Sequence, residues 1–157
     1  MEKFFKNGSA LGLYYTRING STDERSGHVW GGYTNIVPGK KWQANYELYR
    51  VDRKDESTLK DGTTYIATVK YGKVDFAKPG SWDLWGEYLH AAAGTANDDC
   101  CRTWRMHADD TKGWGIGLDY ILAKNAQIQL FRTFDTKVMS TGNKRDELTR
   151  AQFVFLF

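Results

Sequence analysis

The chain has 157 residues and a formal net charge of only +3, which is too small to indicate a nucleic-acid partner. This length is typical of one domain, spanning residues 1–157. The mean hydropathy of −0.60 and the lack of an apolar run of about 18 residues exclude a transmembrane helix, but not a membrane barrel of alternating strands.

The first elements in the chain are predicted to be strands joined by turns. Aromatic residues make up 15% of the chain, and 16 Gly accompany only two Pro, a mixture that favours strands over helices. A first strand is expected near residues 10–18 and a second near 28–37. Gly31-Gly32 within the second strand predicts a bulge or a close approach of two backbones.

Six further segments have apolar side chains at every second position. They are residues 42–48, 64–71, 82–89, 114–122, 126–130 and 149–157. A strand places alternate residues on opposite faces, so these segments predict an antiparallel sheet with one apolar and one polar face. The sequence therefore predicts an all-β fold of about eight strands without a helix.

The connections between these strands alternate in length, beginning with a long one. Outer-membrane barrels have short turns on the periplasmic side and longer loops outside. The pattern therefore predicts an antiparallel transmembrane β-barrel in the bacterial outer membrane, with about eight strands in this chain and a periplasmic C-terminus. Trp42 and Trp82 near one set of strand ends, and Trp114 near the other, fit the aromatic girdles of such barrels.

The polar face is expected to line a hydrated lumen whose charges tune ion selectivity. Its five acids outnumber its two bases, which favours a wet interior with a preference for cations over a plug of paired polar groups. The predicted pore-lining residues are Glu47, Lys70, Asp83, Glu87, Asp119, Gln127, Gln129, Asp135, Arg150 and Gln152. Arg132 departs from the pattern, because simple alternation turns it toward lipid. A bulge at Phe131-Arg132 or a position near the interface would accommodate it.

The last part of the chain resembles a known family. Leu118-Asp119-Tyr120 followed by Leu122-Ala123-Lys124-Asn125 resembles the strand–turn–strand signature near the end of bacterial porins. Arg145-Asp146, Arg150-Ala151-Gln152 and the Phe-rich ending resemble, more narrowly, the outer-membrane porins of diderm Firmicutes that carry an S-layer homology domain. The resemblance covers about residues 113–157. The S-layer homology domain has no counterpart in this sequence, so tethering to the cell wall is not implied.

The resemblance implies a passive channel without a cofactor, for ions and small hydrophilic solutes. Its partners would be the lipid bilayer and the barrel-assembly machinery, whose recognition signal the aromatic residues Phe153, Phe155 and Phe157 resemble. Eight strands leave an interior just wide enough for side chains. A pore therefore implies that the chain belongs to a larger barrel or that several copies contribute strands to a homo-oligomer.

No catalytic or metal site is expected. Cys100-Cys101, Asp98-Asp99 and His107 match no zinc spacing, and a vicinal disulfide or two free thiols explain the cysteines better. The histidines lie in no triad pattern, so the chain is not expected to be an enzyme. Residues 1–5 lack the features of a secretion signal, so an exported chain would be a mature form or a piece of a longer protein.

Two alternatives to a porin remain open at the level of sequence. The first is a small closed outer-membrane barrel with a structural or adhesive role at the cell surface. The second is a soluble ligand-binding β-barrel, in which the apolar face would point inward.

Overall fold

The computed structural model contains one antiparallel sheet in which each strand pairs with its neighbours in sequence. It describes residues 1–18, 27–53, 61–95 and 108–156. The strands are β1 (Glu2–Phe4), β2 (Ala10–Ile18), β3 (Gly27–Ile36), β4 (Trp42–Arg53), β5 (Gly62–Gly72), β6 (Trp82–Ala91), β7 (Thr111–Ala123), β8 (Ala126–Val138) and β9 (Thr149–Phe155). The predicted all-β antiparallel class is confirmed. Within these ranges, no helix is long and apolar enough to cross a membrane.

The sheet has nine strands instead of the expected eight, and it is not closed into a barrel. The additional strand is β1, which pairs with β2 through Glu2–Gly12 and Phe4–Ala10. Three residues are too few to show an alternating pattern, so the sequence does not reveal this strand. Across the described ranges no ladder joins β1 to β9, and these two strands form the edges of the sheet.

The connections lie alternately at the two ends of the sheet, and most of those at one end are shorter than those at the other. One end, called here the short-turn end, has the connections 5–9, 37–41, 73–81 and 124–125. The other, the long-loop end, has the connections 19–26, 54–61, 92–110 and 139–148. The tightest turn is Lys124-Asn125, where Asn125 adopts a φ of 62° that asparagine tolerates. The predicted alternation of long and short connections therefore holds only in part. The connection 73–81 has nine residues, more than the eight of 19–26 or of 54–61, because β5 ends at Gly72 and β6 begins only at Trp82.

The two faces of the sheet differ in both chemistry and burial. On β6, Asp83, Trp85 and Glu87 are buried, whereas Trp82 and Leu84 on the opposite face are exposed. β7 continues the same alternation. We call the face with the buried carboxylates the polar face and the other the apolar face. The described strands form only one sheet, so the polar face is buried by the curvature of that sheet and by connections that fold over it.

Part of the β6–β7 connection covers the polar face at the long-loop end. Ala108 packs against Leu89 and Ala91 in a small buried cluster. The hydroxyl of Tyr49 donates a hydrogen bond to the carbonyl oxygen of Thr95 at 3.2 Å. These contacts close the long-loop end of the polar face near β4 to β6.

The glycine pair in β3 corresponds to a close backbone approach and not to a bulge. The register of β3 with β2 and with β4 is unbroken through Gly31 and Gly32. A Cβ atom at Gly31 would lie 2.4 Å from the carbonyl oxygen of Leu48 on β4. Any larger residue at Gly31 would therefore push β3 and β4 apart.

Candidate functional site on the polar face

The sheet brings nearly all the predicted pore-lining residues to one face. Asp83 pairs directly with Asp119, Asp119 with Gln129, and Gln129 with Gln152, and directly paired residues of an antiparallel sheet share a face. The same pairing, combined with alternation along each strand, places nine of the predicted residues on the polar face: Glu47, Lys70, Asp83, Glu87, Asp119, Gln127, Gln129, Arg150 and Gln152.

Asp135 is the exception, and the predicted position on the polar face is corrected here. The β7–β8 register shifts between Lys112 and Trp114, and Asp135 adopts a φ of 52° within this bulge. The bulge gives the buried position to Thr136, while Asp135 is exposed and its Oδ1 lies 2.7 Å from Nζ of Lys137. One extra residue in a strand reverses the alternation beyond it, so the period of two fails at this point.

Arg132 lies on the apolar face. It pairs with Ile116 on β7 and with Thr149 on β9 without any register shift, so the bulge considered at Phe131-Arg132 does not occur there. The bulge begins beyond Phe134 instead. Arg132 is exposed, and its long side chain can extend along the surface toward the long-loop end.

A charged cluster crosses β5 to β8 on the polar face. Nζ of Lys70 lies 3.3 Å from Oδ2 of Asp83, which is only 2% exposed. Nε2 of Gln129 donates to Oδ1 of Asp119 at 2.9 Å, and Asp119 is 7% exposed. The other oxygen of Asp83, Oδ1, is buried with no hydrogen-bond partner in the described ranges. Two buried carboxylates thus face each other beside one lysine, which leaves an excess of negative charge.

Variants of this cluster should have opposite effects on stability. Asp119→Asn removes like-charge repulsion, keeps an acceptor for Gln129 and offers a donor to Asp83, so the free energy of unfolding should rise by about 1 kcal/mol. Lys70→Met leaves the two carboxylates without a cation and should lower the free energy of unfolding by roughly 1–2 kcal/mol. The loss is smaller than for a fully buried ion pair because the lysine is partly exposed. Urea unfolding at pH 7, followed by tryptophan fluorescence, measures both. An Asp119→Asn protein less stable than wild type would contradict this description of the cluster.

Aromatic rings lie over glycines on the polar face, a feature that the sequence pattern did not identify. The ring of Trp85 covers Gly117, where a Cβ atom would come within 2.3 Å of it. Trp85 also stacks on Phe131, with ring centroids 5.2 Å apart. The ring of Tyr33 covers Gly12 in the same way. Each glycine pairs directly with the aromatic residue that covers it. The feature therefore follows from the register between strands and not from the alternation along one strand.

The polar face continues from β1 to β4 with hydrogen-bonded pairs. The hydroxyl of Tyr14 donates to Oε1 of Glu47 at 2.9 Å, spanning β3. Nε2 of Gln43 donates to Oδ1 of Asn35 at 3.0 Å. These residues are half-buried or exposed, so this side of the polar face is more open than the side formed by β6 to β8.

No metal-binding group was found in the part of the chain that the structure describes, where no three His, Cys, Asp or Glu residues cluster. The predicted absence of a metal at Cys100, Cys101 and His107 concerns residues 96–107, which lie outside the described ranges.

The apolar face has two groups of aromatic rings with aliphatic side chains between them. Near the short-turn end, the rings of Trp42 and Tyr71 have centroids 4.8 Å apart, and Tyr71 in turn contacts Trp82. Toward the long-loop end, Tyr88 and Trp114 have centroids 4.7 Å apart. The exposed aliphatic residues between the groups are Val69, Leu84, Ile116 and Leu130. This arrangement gives the apolar face a banded surface.

Comparison of the sequence with protein families and curated proteins adds no relative of the chain. No protein-family model matches it, and no curated protein matches its sequence. The two faces of the sheet are therefore the features from which a function can be inferred.

Proposed function

We propose that the chain forms all or part of an outer-membrane β-barrel whose polar face lines a narrow, passive and cation-preferring path for ions and small hydrophilic solutes. The observation that carries this proposal is the distribution of the two faces. Large apolar side chains are exposed along one face, while ionisable side chains are buried on the other. A protein surrounded by lipid and filled with polar groups has this distribution.

The banded apolar face supports contact with a bilayer. An outer-membrane barrel has an apolar band about 25 Å tall with aromatic girdles at both interfaces. Here Trp42, Tyr71 and Trp82 would form one girdle, and Tyr88 and Trp114 would belong to the other. Monomeric soluble proteins rarely expose contiguous apolar patches larger than a few hundred Å². The long-loop end would then face outward from the cell and the short-turn end would face the periplasm.

A soluble ligand-binding barrel would require the opposite distribution. Its apolar residues would line the interior and its charged residues would be exposed to water. In this chain Leu84 and Ile116 are 42% and 45% exposed, whereas Asp83 and Asp119 are almost completely buried. The distribution of the two faces therefore favours a membrane protein over a soluble barrel.

The progressive offset of the strands supports a barrel. Successive direct partners lead from Ala10, at the short-turn end of β2, across the sheet to Thr133 on β8. The short-turn end of β8 is at Ala126, and Thr133 lies far from it. Strands that tilt relative to a barrel axis require such a stagger.

The charges of the polar face support a preference for cations. Among the predicted residues that lie there, Glu47, Asp83, Glu87 and Asp119 are acidic, and Lys70 and Arg150 are basic. Glu2 and Arg53, which the prediction did not include, add one charge of each sign and leave the excess unchanged. Rings of acidic side chains favour cations in channels.

Planar-bilayer recording tests the proposal. The refolded full chain should produce discrete current steps, and a potassium chloride gradient should give a reversal potential on the cation-selective side. Asp83→Asn/Asp119→Asn should move that potential toward zero. Gly86→Ala, on the apolar face, should leave it unchanged. Membrane-inserted protein that never produces current steps would contradict the channel.

A second candidate is a closed outer-membrane barrel with a structural or adhesive role. It is favoured by the Trp85–Phe131 stack and by the connection that covers the polar face beside Tyr49, because both fill space that a solute would need. Heat-modifiable migration on a detergent gel, without current steps in bilayers, would support this role in place of a channel.

A further inference from the structure

We infer that β9 pairs antiparallel with the long-loop half of β2, with Gln152 opposite Thr16, and so closes the sheet into a barrel of eight strand positions. In this barrel β1 and β9 lie on the same edge of β2, with β1 beside its short-turn end and β9 beside its long-loop half. The inference rests on the proposed membrane barrel and adds how it closes and what passes through it.

A barrel closed by pairing β1 with β9 could not be antiparallel throughout. All the ladders are antiparallel between consecutive strands, so β1 and β9 run in the same direction. Direct pairing of these two edges would be parallel, unlike every other pair in the sheet. β2 runs opposite to β9, and pairing between them would continue the antiparallel pattern around the barrel.

The long-loop half of β2 has an edge available for a partner. β1 pairs with Ala10–Gly12 and Met1 bonds to Leu13; beyond Leu13 the described ranges contain no second partner strand for β2. The N–H of Leu13 donates to the carbonyl oxygen of Met1 at 2.8 Å, so odd-numbered residues of β2 direct their backbone groups toward this edge. Those of Tyr15 and Arg17 are therefore oriented toward an incoming strand.

The edge of β9 is complementary. The N–H of Leu156 donates to the carbonyl oxygen of Asn125, on the β8 side, at 3.0 Å. Even-numbered residues of β9 therefore bond toward β8, and Ala151 and Phe153 direct their backbone groups to the open edge. Pairing odd with odd residues places the polar face of β9 beside that of β2 and extends the apolar face from Phe153 to Tyr15.

The offset of the strands, combined with the usual tilt of strands in a barrel, indicates the register. The line of direct partners that begins at Ala10 ends at Thr133, next to the long-loop end of β9 at Thr149. At a tilt of about 40°, with about 3.3 Å per residue and about 4.8 Å between strands, eight strand positions produce a shift of about ten residues. That shift places Gln152 opposite Thr16 and Phe155 opposite Leu13. Because Met1 already bonds to both backbone groups of Leu13, the pairing of β9 with β2 must end at Val154, which leaves the β1 pairs with β2 intact.

An unsatisfied side chain supports the same register. Oε1 of Gln152 is buried and has no hydrogen-bond partner in the described ranges. Thr16 lies on the polar face of β2 and has a hydroxyl group that can donate. Pairing Gln152 with Thr16 gives the buried acceptor a donor, which removes the cost of leaving it unsatisfied.

Closure with eight positions limits what the barrel can carry. Such an interior is just wide enough for its own side chains. The path would therefore run between the polar groups around Lys70, Asp83 and Asp119, and it would pass small ions but not sugar-sized solutes.

A designed disulfide tests this closure. Thr16→Cys/Gln152→Cys is made in the full chain with Cys100 and Cys101 changed to Ser, refolded in detergent and oxidised. We expect a monomer that migrates faster without reductant and reverts on reduction. Thr16→Cys/Phe153→Cys, whose side chains lie on opposite faces, should not form the bond. Tyr14→Cys/Gln152→Cys tests a register displaced by two residues and should form it poorly.

Three results would overturn the closure: a disulfide-linked dimer, which assigns β9 to a second copy; preferential bonding in the Tyr14 variant; or no bond in the Thr16 variant. Amide exchange of the unsubstituted protein checks the same pairing without any variant. The amides of Tyr15, Arg17, Ala151 and Phe153 should be protected as strongly as those of the β6–β7 ladder, and rapid exchange would also overturn it.

The outcomes separate the closure from the proposed function. Current steps without the intramolecular bond would retain the channel and reject the eight-position closure. The bond without insertion into liposomes would retain the closure and reject the membrane protein.

Discussion

Replacing Leu118 by Arg is expected to lower the free energy of unfolding from a lipid bilayer by about 2–4 kcal/mol. Leu118 lies on the apolar face between Leu84 and Leu130, midway between the two aromatic groups. A guanidinium at this depth must be taken out of water or must deform the bilayer to reach it. Urea unfolding of the full chain in lipid vesicles measures the loss.

The matched control is the same substitution at Leu122. This residue is on the same face of β7 but lies beyond Tyr120, which pairs with Trp82 near the short-turn end. At the interface an arginine costs only about 0–1 kcal/mol. If Leu118→Arg were as well tolerated as Leu122→Arg, the apolar face would not lie across a bilayer, and the proposed membrane protein would be wrong.

Replacing Gly117 by Ala should lower the free energy of unfolding by about 1–3 kcal/mol. The added methyl group would lie 2.3 Å from the ring of Trp85, which is buried and stacked on Phe131, so the ring cannot move without disrupting the stack. Urea unfolding in detergent micelles, together with the near-UV signal of the stacked tryptophan, measures the effect.

The control for Gly117 is Gly86 on the neighbouring strand. It lies on the apolar face, where an added Cβ atom would meet nothing closer than a carbonyl oxygen at 4.0 Å. Gly86→Ala should therefore be neutral or stabilise by up to about 1 kcal/mol. Combining Gly117→Ala with Trp85→Leu should cost less than the sum of the two single changes. Full additivity would show that the ring does not lie over Gly117.

The assignment of residues to the two faces could largely be predicted from the sequence. Asp83, Asp119 and Gln129 fall on one face because alternation is a local consequence of strand geometry, and it holds wherever the strand is regular. Arg132 follows the same rule of alternation on the apolar face. Its predicted departure toward the apolar face is correct, and no bulge corrects it.

Features that depend on partner strands could not be predicted in this way. The bulge that turns Asp135 away arises where β8 meets Gly113 of β7, and the alternation along β8 alone gives no sign of it. The site of Trp85 over Gly117 likewise depends on which residues become neighbours across the ladder. β1 has only three residues and acquires its conformation from its pairing with β2.

The sequence by itself determined an antiparallel β protein with one polar and one apolar face and, for most of the connections, the alternation of long and short. These properties depend on the period of a strand and on the spacing of turns, both of which act over a few residues. Only the tertiary structure decided the ninth strand, the open edges, the direct pairing of the two carboxylates Asp83 and Asp119, and the exclusion of Asp135 from the polar face. Each of these depends on register between strands, which is set by contacts between residues distant in the chain.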